Sequence, residues 1–122
     1  MGPATSLRFP RKARLVRKSE FDEVYRGGKR RSGSHFTVFV RASGQPNCRF
    51  GFSIKRALGG AVVRNRIRRR LREAVRLHLE EISPGWDIVI HPKSNVAAAR
   101  FAELTAELLK LLPSRKEEKR EA

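Results

Sequence analysis

Seven arginines fall within residues 61–79 (Arg64, Arg66, Arg68, Arg69, Arg70, Arg72 and Arg76), against a single acid, Glu73. A guanidinium is planar and permanently charged, and its forked N–H groups match phosphate oxygens two at a time. Arg68, Arg72 and Arg76 succeed one another every four residues, with Asn65 and Arg69 beside them. Arg64 and Arg66 come one turn earlier, near the positive end of the helix dipole. On a helix this spacing stacks like charges, at a cost of about 0.2–0.5 kcal/mol per pair. A solvated charged face is the usual explanation when both signs are mixed. With one acid among seven arginines, a polyanion is the better partner, and the stretch reads as a phosphate-binding helix.

Other chemistry is thin. His35, His78 and His91 are scattered, and Asp22 and Asp87 have no partner at a recognisable spacing, so no catalytic residue is assigned. His78 continues the helical spacing of Ile67, Leu71 and Ala74 and is expected to be a packed structural histidine. The single cysteine, Cys48, has no metal-spaced neighbours and reads as a small buried thiol.

The elements that must position the arginines follow from periodicity. Residues 61–79 contain no breaker, follow Gly59-Gly60 and precede Ser83-Pro84-Gly85; Val63, Ile67, Leu71, Ala74, Val75 and Leu77 make one apolar arc. Arg70 is the misfit on that arc and must snorkel. Ser19 is expected to cap a short helix bearing Phe21, Val24 and Tyr25, stopped by Gly27-Gly28. A basic loop is expected over 29–34, then a strand over 35–42 with Phe36, Val38 and Val40 on one face and Thr37, Phe39 and Arg41 on the other. A second strand, 49–55, puts Phe50, Phe52 and Ile54 on one face and Gly51, Ser53 and Lys55 on the other, and the two are expected to form an antiparallel hairpin. A third strand covers 86–91, and a last helix covers 96–112 through Ala97, Phe101, Leu104, Leu108, Leu111 and Leu112. The expected fold class is α+β, a small, mainly antiparallel sheet packed with helices in an α/β sandwich.

Composition sets the limits. At 122 residues, 39% apolar, the chain supports one domain over 19–112, preceded by a basic arm (1–18) and followed by a charged tail (113–122) expected to be disordered. The net charge of +16 points to an acidic partner. Residues 1–79 hold 21 Lys+Arg against 4 Asp+Glu, a balance of +17, whereas residues 80–122 hold 7 against 8. The binding surface therefore belongs to the first two thirds. No apolar run reaches membrane length and the N-terminus lacks a signal-peptide core, so a soluble, cytoplasmic protein is expected.

Arginine outnumbers lysine 20 to 8, and Phe21, Tyr25 and Phe39 are candidate stacking rings for unpaired bases. Phe39 lies on the polar face of its strand, above a floor kept low by Gly51 and Ser53. Lys55 and Arg56, at the end of the next strand, are placed to hold the backbone of a nucleic-acid strand. A DNA-binding helix-turn-helix is disfavoured because strands flank the arginine helix. A membrane-surface role is disfavoured because the apolar arc is needed for the core.

Residues 52–73, Phe-Ser-Ile-Lys-Arg-Ala-Leu-Gly-Gly-Ala-Val-Val-Arg-Asn-Arg-Ile-Arg-Arg-Arg-Leu-Arg-Glu, resemble the signature of the protein subunit of bacterial ribonuclease P. Its centre is Ala-Val-x-Arg-Asn-Arg at 61–66. Residues 17–28, with Phe21, Val24, Tyr25 and Gly27, and Gly85-Trp-Asp-Ile-Val extend the match over roughly 8–112. The resemblance implies an α/β sandwich with a left-handed βαβ crossover through the arginine helix. It also implies a catalytic RNA subunit that removes the 5′ leader from precursor tRNA with RNA-bound Mg2+, this chain being the non-catalytic subunit. Arg64, Asn65, Arg66, Arg68, Arg69, Arg72 and Arg76, with Lys55 and Arg56, would face that RNA. Phe21, Tyr25, Phe39 and Ser53 would hold the single-stranded leader. Two positions depart from the family pattern: Ala57 and His91-Pro92 stand where basic residues are common. A ribosomal or general RNA-packaging protein is the alternative.

Overall fold

Ile88, Val89 and Ile90 are consecutive apolar residues, so both faces of their strand need cover. The computed structural model, which describes residues 13–114, puts that strand inside a four-stranded sheet. The strands are β1 (Lys29–Ser32), β2 (Phe36–Ala42), β3 (Arg49–Phe52) and β4 (Trp86–Pro92), in the order β1-β2-β4-β3. β4 is antiparallel to β2 and parallel to β3, and β1 is antiparallel to β2. The helices are α1 (Lys18–Gly27), α2 (Ala61–Leu77) and α3 (Phe101–Leu111), and α2 makes the connection from β3 to its parallel neighbour β4.

This order corrects the expected hairpin between 35–42 and 49–55. β4 lies between β2 and β3, because a strand with Ile88, Val89 and Ile90 all fully buried needs packing on both faces. The hairpin is instead β1–β2, with Gly33 N–H donating to Phe36 O at 2.8 Å. The loop expected over 29–34 thus contains a strand. Its Lys-Arg-Arg-Ser sequence has no apolar alternation, and charged residues at a sheet edge also discourage further pairing.

One face of the sheet buries Phe36, Val38, Val40, Phe50, Ile88 and Ile90 in the main core, together with Ile67, Leu71, Ala74 and Val75 of α2 and Leu104 and Leu108 of α3. Two expected members of the α2 arc stay outside: Val63 and Leu77, in its first and last turns, are exposed, Leu77 at 52%. Arg70 resolves its conflict by donating from Nη2 to Ala99 O at 2.7 Å. His78 is not a core histidine; it ends α2, and its ring turns to the Glu81 carboxylate. The last helix is shorter than expected, since residues Ser94–Ala98 form a 3-10 turn that buries Val96, while Ala97 is exposed.

The opposite face carries α1, whose Val24 packs with Leu15 and Val89. Glu20 rather than Ser19 satisfies the start of α1, its Oε1 accepting from Val16 N at 3.0 Å and Arg17 N at 2.9 Å. Gly28 ends the helix, donating to Val24 O at 2.8 Å. A Cβ there would lie 2.5 Å from Val24 O and 2.8 Å from Val40 O, so only glycine permits so tight an exit into β1.

Of the basic arm, residues 13–18 are described. Ala13 and Leu15 are buried, and Leu15 N donates to Phe50 O at 2.9 Å along β3. At the other end Pro113 O accepts from Ser83 N at 2.9 Å. The remainder of the arm and of the tail, 1–12 and 115–122, lies outside the described residues. No helix among the described residues is long and apolar enough to cross a membrane.

Candidate nucleic-acid interface

Side chains alternate along a strand, so register sets out the α1 face of the sheet in rows. Arg41, Asp87 and Arg49 form one; Arg30, Phe39, Val89 and Gly51 the next; Thr37 and His91 a third. α1 is held over the first two rows. Glu20 pairs with Arg49 at 2.7 Å, Glu23 with Arg41 at 3.5 Å, and Phe21 and Val24 pack beside Leu15 and Val89. Tyr25 reaches from the last turns of α1 toward the third row.

Three rings meet there. Tyr25 lies edge-on to Phe39, centroids 5.1 Å apart, and His91 lies 5.5 Å from Tyr25 and 5.3 Å from Phe39. Tyr25 Oη is 2.8 Å from His91 Nε2. Burial raises the Tyr25 phenol above its ordinary range, opposed by a hydrogen bond with Ser53 and assisted by the charge of Asp22. Burial, helped by the nearby Lys55 charge, holds the His91 imidazole below its ordinary range. Phe39 and His91 line a cleft of about 430 Å³ that Arg30, Lys55 and Lys93 also border. Lys93 is partly committed, donating to Gly33 O at 2.6 Å.

Phe21 is set apart from these rings. It lies across Gly51, where a Cβ would come 2.5 Å from Phe21 Cζ. Glycine at this point of β3 lets the ring settle on bare backbone. Phe21 and Phe52 line a second cleft, of about 310 Å³, together with Arg14, Arg68 and Arg72, and among the described residues no carboxylate borders it. Arg72 Nε is buried there without a hydrogen-bond partner among the described residues. Burial, then the charges of Arg14 and Arg68, lower the Arg72 guanidinium's hold on its proton.

The remaining arginines of α2 divide by their neighbours. Arg66 and Arg69 are exposed. Arg68 donates to Asn65 Oδ1 at 2.9 Å, and Arg64 to Gly59 O at 3.1 Å. Arg76 is matched by Glu73 through two bonds, at 2.9 and 2.7 Å, so its charge is already answered. Lys55 and Arg56 are exposed between β3 and α2. Sequence reasoning assigned no site role to Arg14, Arg30, His91 or Lys93. Arg30 was hidden in the unrecognised β1, and Arg14 joins only through the pairing of 13–15 with Phe50. Among the described residues no three His, Cys, Asp or Glu side chains gather as a metal site.

The fold that carries this interface is shared with known proteins. The family model described as Ribonuclease P matches residues 9–115. The chain is 45% identical over 108 residues to the ribonuclease P protein component of Desulfovibrio desulfuricans, covering 85% of this chain and 83% of the relative. It is also 45% identical over 106 residues to that of Acidothermus cellulolyticus, covering 85% and 88%. The solved ribonuclease P protein of Thermotoga maritima superposes with a TM-score of 0.76 at 31% identity, covering 81% of this chain and 94% of that one. The fold thus recurs in a solved ribonuclease P protein, with sequence identity to such proteins along most of the chain: the chain belongs to the ribonuclease P protein family.

Proposed function

We propose that this chain is the non-catalytic protein subunit of a cytoplasmic ribonucleoprotein that removes the 5′ leader from precursor tRNA, the RNA subunit being the catalyst. One observation supports the division of labour best. The chain has two surfaces of different chemistry: the ring cluster of Tyr25, Phe39 and His91 on the sheet, bordered by Arg30, Lys55 and Lys93, and the arginine side of α2, where among the described residues no carboxylate borders the cleft of Arg68 and Arg72. Paired RNA hides its bases and offers phosphates, which suits Arg64, Arg66, Arg68, Arg69 and Arg72. An unpaired leader offers ring faces, which suits Phe39 and Tyr25, with Ser53 hydrogen-bonded to Tyr25. Phe21, expected among these rings, lies instead over Gly51 beside the Arg68 and Arg72 cleft. Lys55 and Arg30 would hold its backbone.

Each stacked base contributes about 1–3 kcal/mol, whatever its identity. The protein's part is to bind and orient the leader and to neutralise RNA phosphates. Magnesium, held on the RNA in this reading, supplies the Lewis-acid chemistry of phosphodiester hydrolysis.

The test is magnesium-dependent cleavage by the cognate RNA subunit with and without this chain, at low and high salt, together with affinities for precursor and mature tRNA. Phe39→Ala or Tyr25→Ala is expected to weaken precursor binding about five- to 150-fold and leave mature tRNA nearly unaffected. Equal losses on both RNAs would return the chain to a general RNA-packaging role.

A further inference from the structure

His91 has no role in a stacking-only view of the cleft, yet its position is specific. It stands on β4 opposite Thr37 of β2, its ring partly buried between Tyr25 and the Phe39 cleft. Its Nε2 is 2.8 Å from Tyr25 Oη. The chemistry of the two groups favours one direction for that bond: a phenol is the stronger acid and an imidazole nitrogen the stronger base. Burial keeps the Tyr25 phenol protonated, and burial with the Lys55 charge keeps the imidazole neutral near pH 7. With Tyr25 donating and Nε2 accepting, the arrangement this inference adopts, the imidazole proton resides on Nδ1. Among the described residues Nδ1 has no hydrogen-bond partner, and it is not among the buried atoms lacking one, so it reaches solvent.

We infer that His91 is a specificity-determining residue of this cleft, its Nδ1–H donating to a ring-nitrogen or carbonyl acceptor on the edge of an unpaired base stacked against Phe39. The inference rests on reading the cleft as the leader's. Stacking alone accepts any base, because every base has a π face. A fixed donor does not. With Nε2 occupied by Tyr25, the imidazole offers a hydrogen and no lone pair, so a base edge that presents only an amino group there leaves two donors facing each other. Arg30 and Lys55 border the same cleft and supply contacts to the backbone on either side of the base.

The experiment is competitive cleavage by the assembled holoenzyme of precursor tRNAs carrying each of the four bases at each leader position, and of versions with 7-deazapurines in the leader. Wild type is expected to discriminate at one position by roughly two- to tenfold, the scale of one hydrogen bond. Where the preferred base is a purine read through N7, the 7-deaza analogue removes the preference. His91→Phe keeps a ring but no donor and is expected to flatten the ratios; because only ratios between bases are read, an overall loss of rate cancels. Tyr25→Phe keeps its ring but frees Nε2 and unlocks the tautomer, and it is expected to blur the same ratios should His91→Phe fail to fold. Ratios unchanged in a folded His91→Phe or Tyr25→Phe protein overturn the inference. Phe39→Ala separates the two claims. If it abolishes the precursor-over-mature preference while His91→Phe leaves the base ratios unmoved, the leader cleft stands and base reading by His91 falls. If Phe39→Ala leaves that preference intact, the leader cleft falls, and base reading with it.

Discussion

Arg49 grips Asp87 with two parallel hydrogen bonds, Nε to Oδ1 at 2.9 Å and Nη2 to Oδ2 at 2.8 Å. Its third nitrogen, Nη1, reaches Glu20 Oε2 at 2.7 Å, so one side chain ties α1 to both β3 and β4. The Asp87 side chain is 2% exposed. Arg49→Met therefore strands a buried carboxylate and is expected to destabilise the fold by about 3–5 kcal/mol. Chemical denaturation of the free protein checks this; a loss under about 1 kcal/mol would place the pair with ordinary surface ion pairs.

Acid should loosen the join between α3 and the start of β2. Burial opposes ionisation of Glu107, but bonds from the His35 ring and from the His35 and Phe36 backbone N–H groups outweigh it and hold the carboxyl below its ordinary value of 4.5. A depressed carboxyl contributes stability that is fully present above its unfolded value and is lost as pH falls through the folded one. Melting temperature should therefore drop below about pH 4.5, and less steeply in Glu107→Gln. Parallel acid limbs for the two proteins would show that Glu107 is not responsible.

Stability and RNA affinity should part company at Arg72. Its buried Nε lacks a partner among the described residues and its charge faces Arg14 and Arg68, so Arg72→Ala relieves repulsion and is expected to leave the melting temperature of the free protein unchanged or slightly higher. On the proposed role of this face in phosphate binding, the same change should lower the magnitude of the salt slope of RNA binding by roughly 0.7–0.9. A clear drop in melting temperature with an unaltered slope would make Arg72 a structural residue.

The rotation of α2 is open to a direct comparison. Leu71 is fully buried, and Leu71→Ala should cost about 2–5 kcal/mol. Leu77→Ala, at a position 52% exposed, should change stability by less than about 0.5 kcal/mol. Similar thermal shifts for both would contradict the helix orientation.

The core face and the arginine face were legible because each depends on local periodicity: Phe36, Val38 and Val40 alternate, and Ile67, Leu71, Ala74 and Val75 recur at helical spacing. Strand order was not. Alternation assigns a residue to a face but does not name the neighbouring strand, which is why β4 could enter between two strands that looked like a hairpin. β1 is a strand through its pairing with β2, a partner its own four polar residues do not announce. Phe39 stood out as an aromatic on the polar face of its strand, and Tyr25 as a ring of the first helix, whereas Arg14 reaches its cleft only because Leu15 docks along Phe50.

One of the two interior strands, β4, is also the last of the four to be synthesised. β1 and β2 can zip together as soon as both exist, but β3, apart from the short pairing of residues 13–15 with Phe50, has no partner strand until residues 86–92 arrive to join it. Pairing across such sequence separations is slow, and it delays closure of the core until α2 and β4 are both available. On the ribosome, the first 79 residues, with 21 cationic side chains against 4 acids, therefore emerge before the scaffold that will space those charges is complete. The strand order thus makes the nascent chain a transient polycation, open to any RNA within reach before it has a surface with which to choose among them.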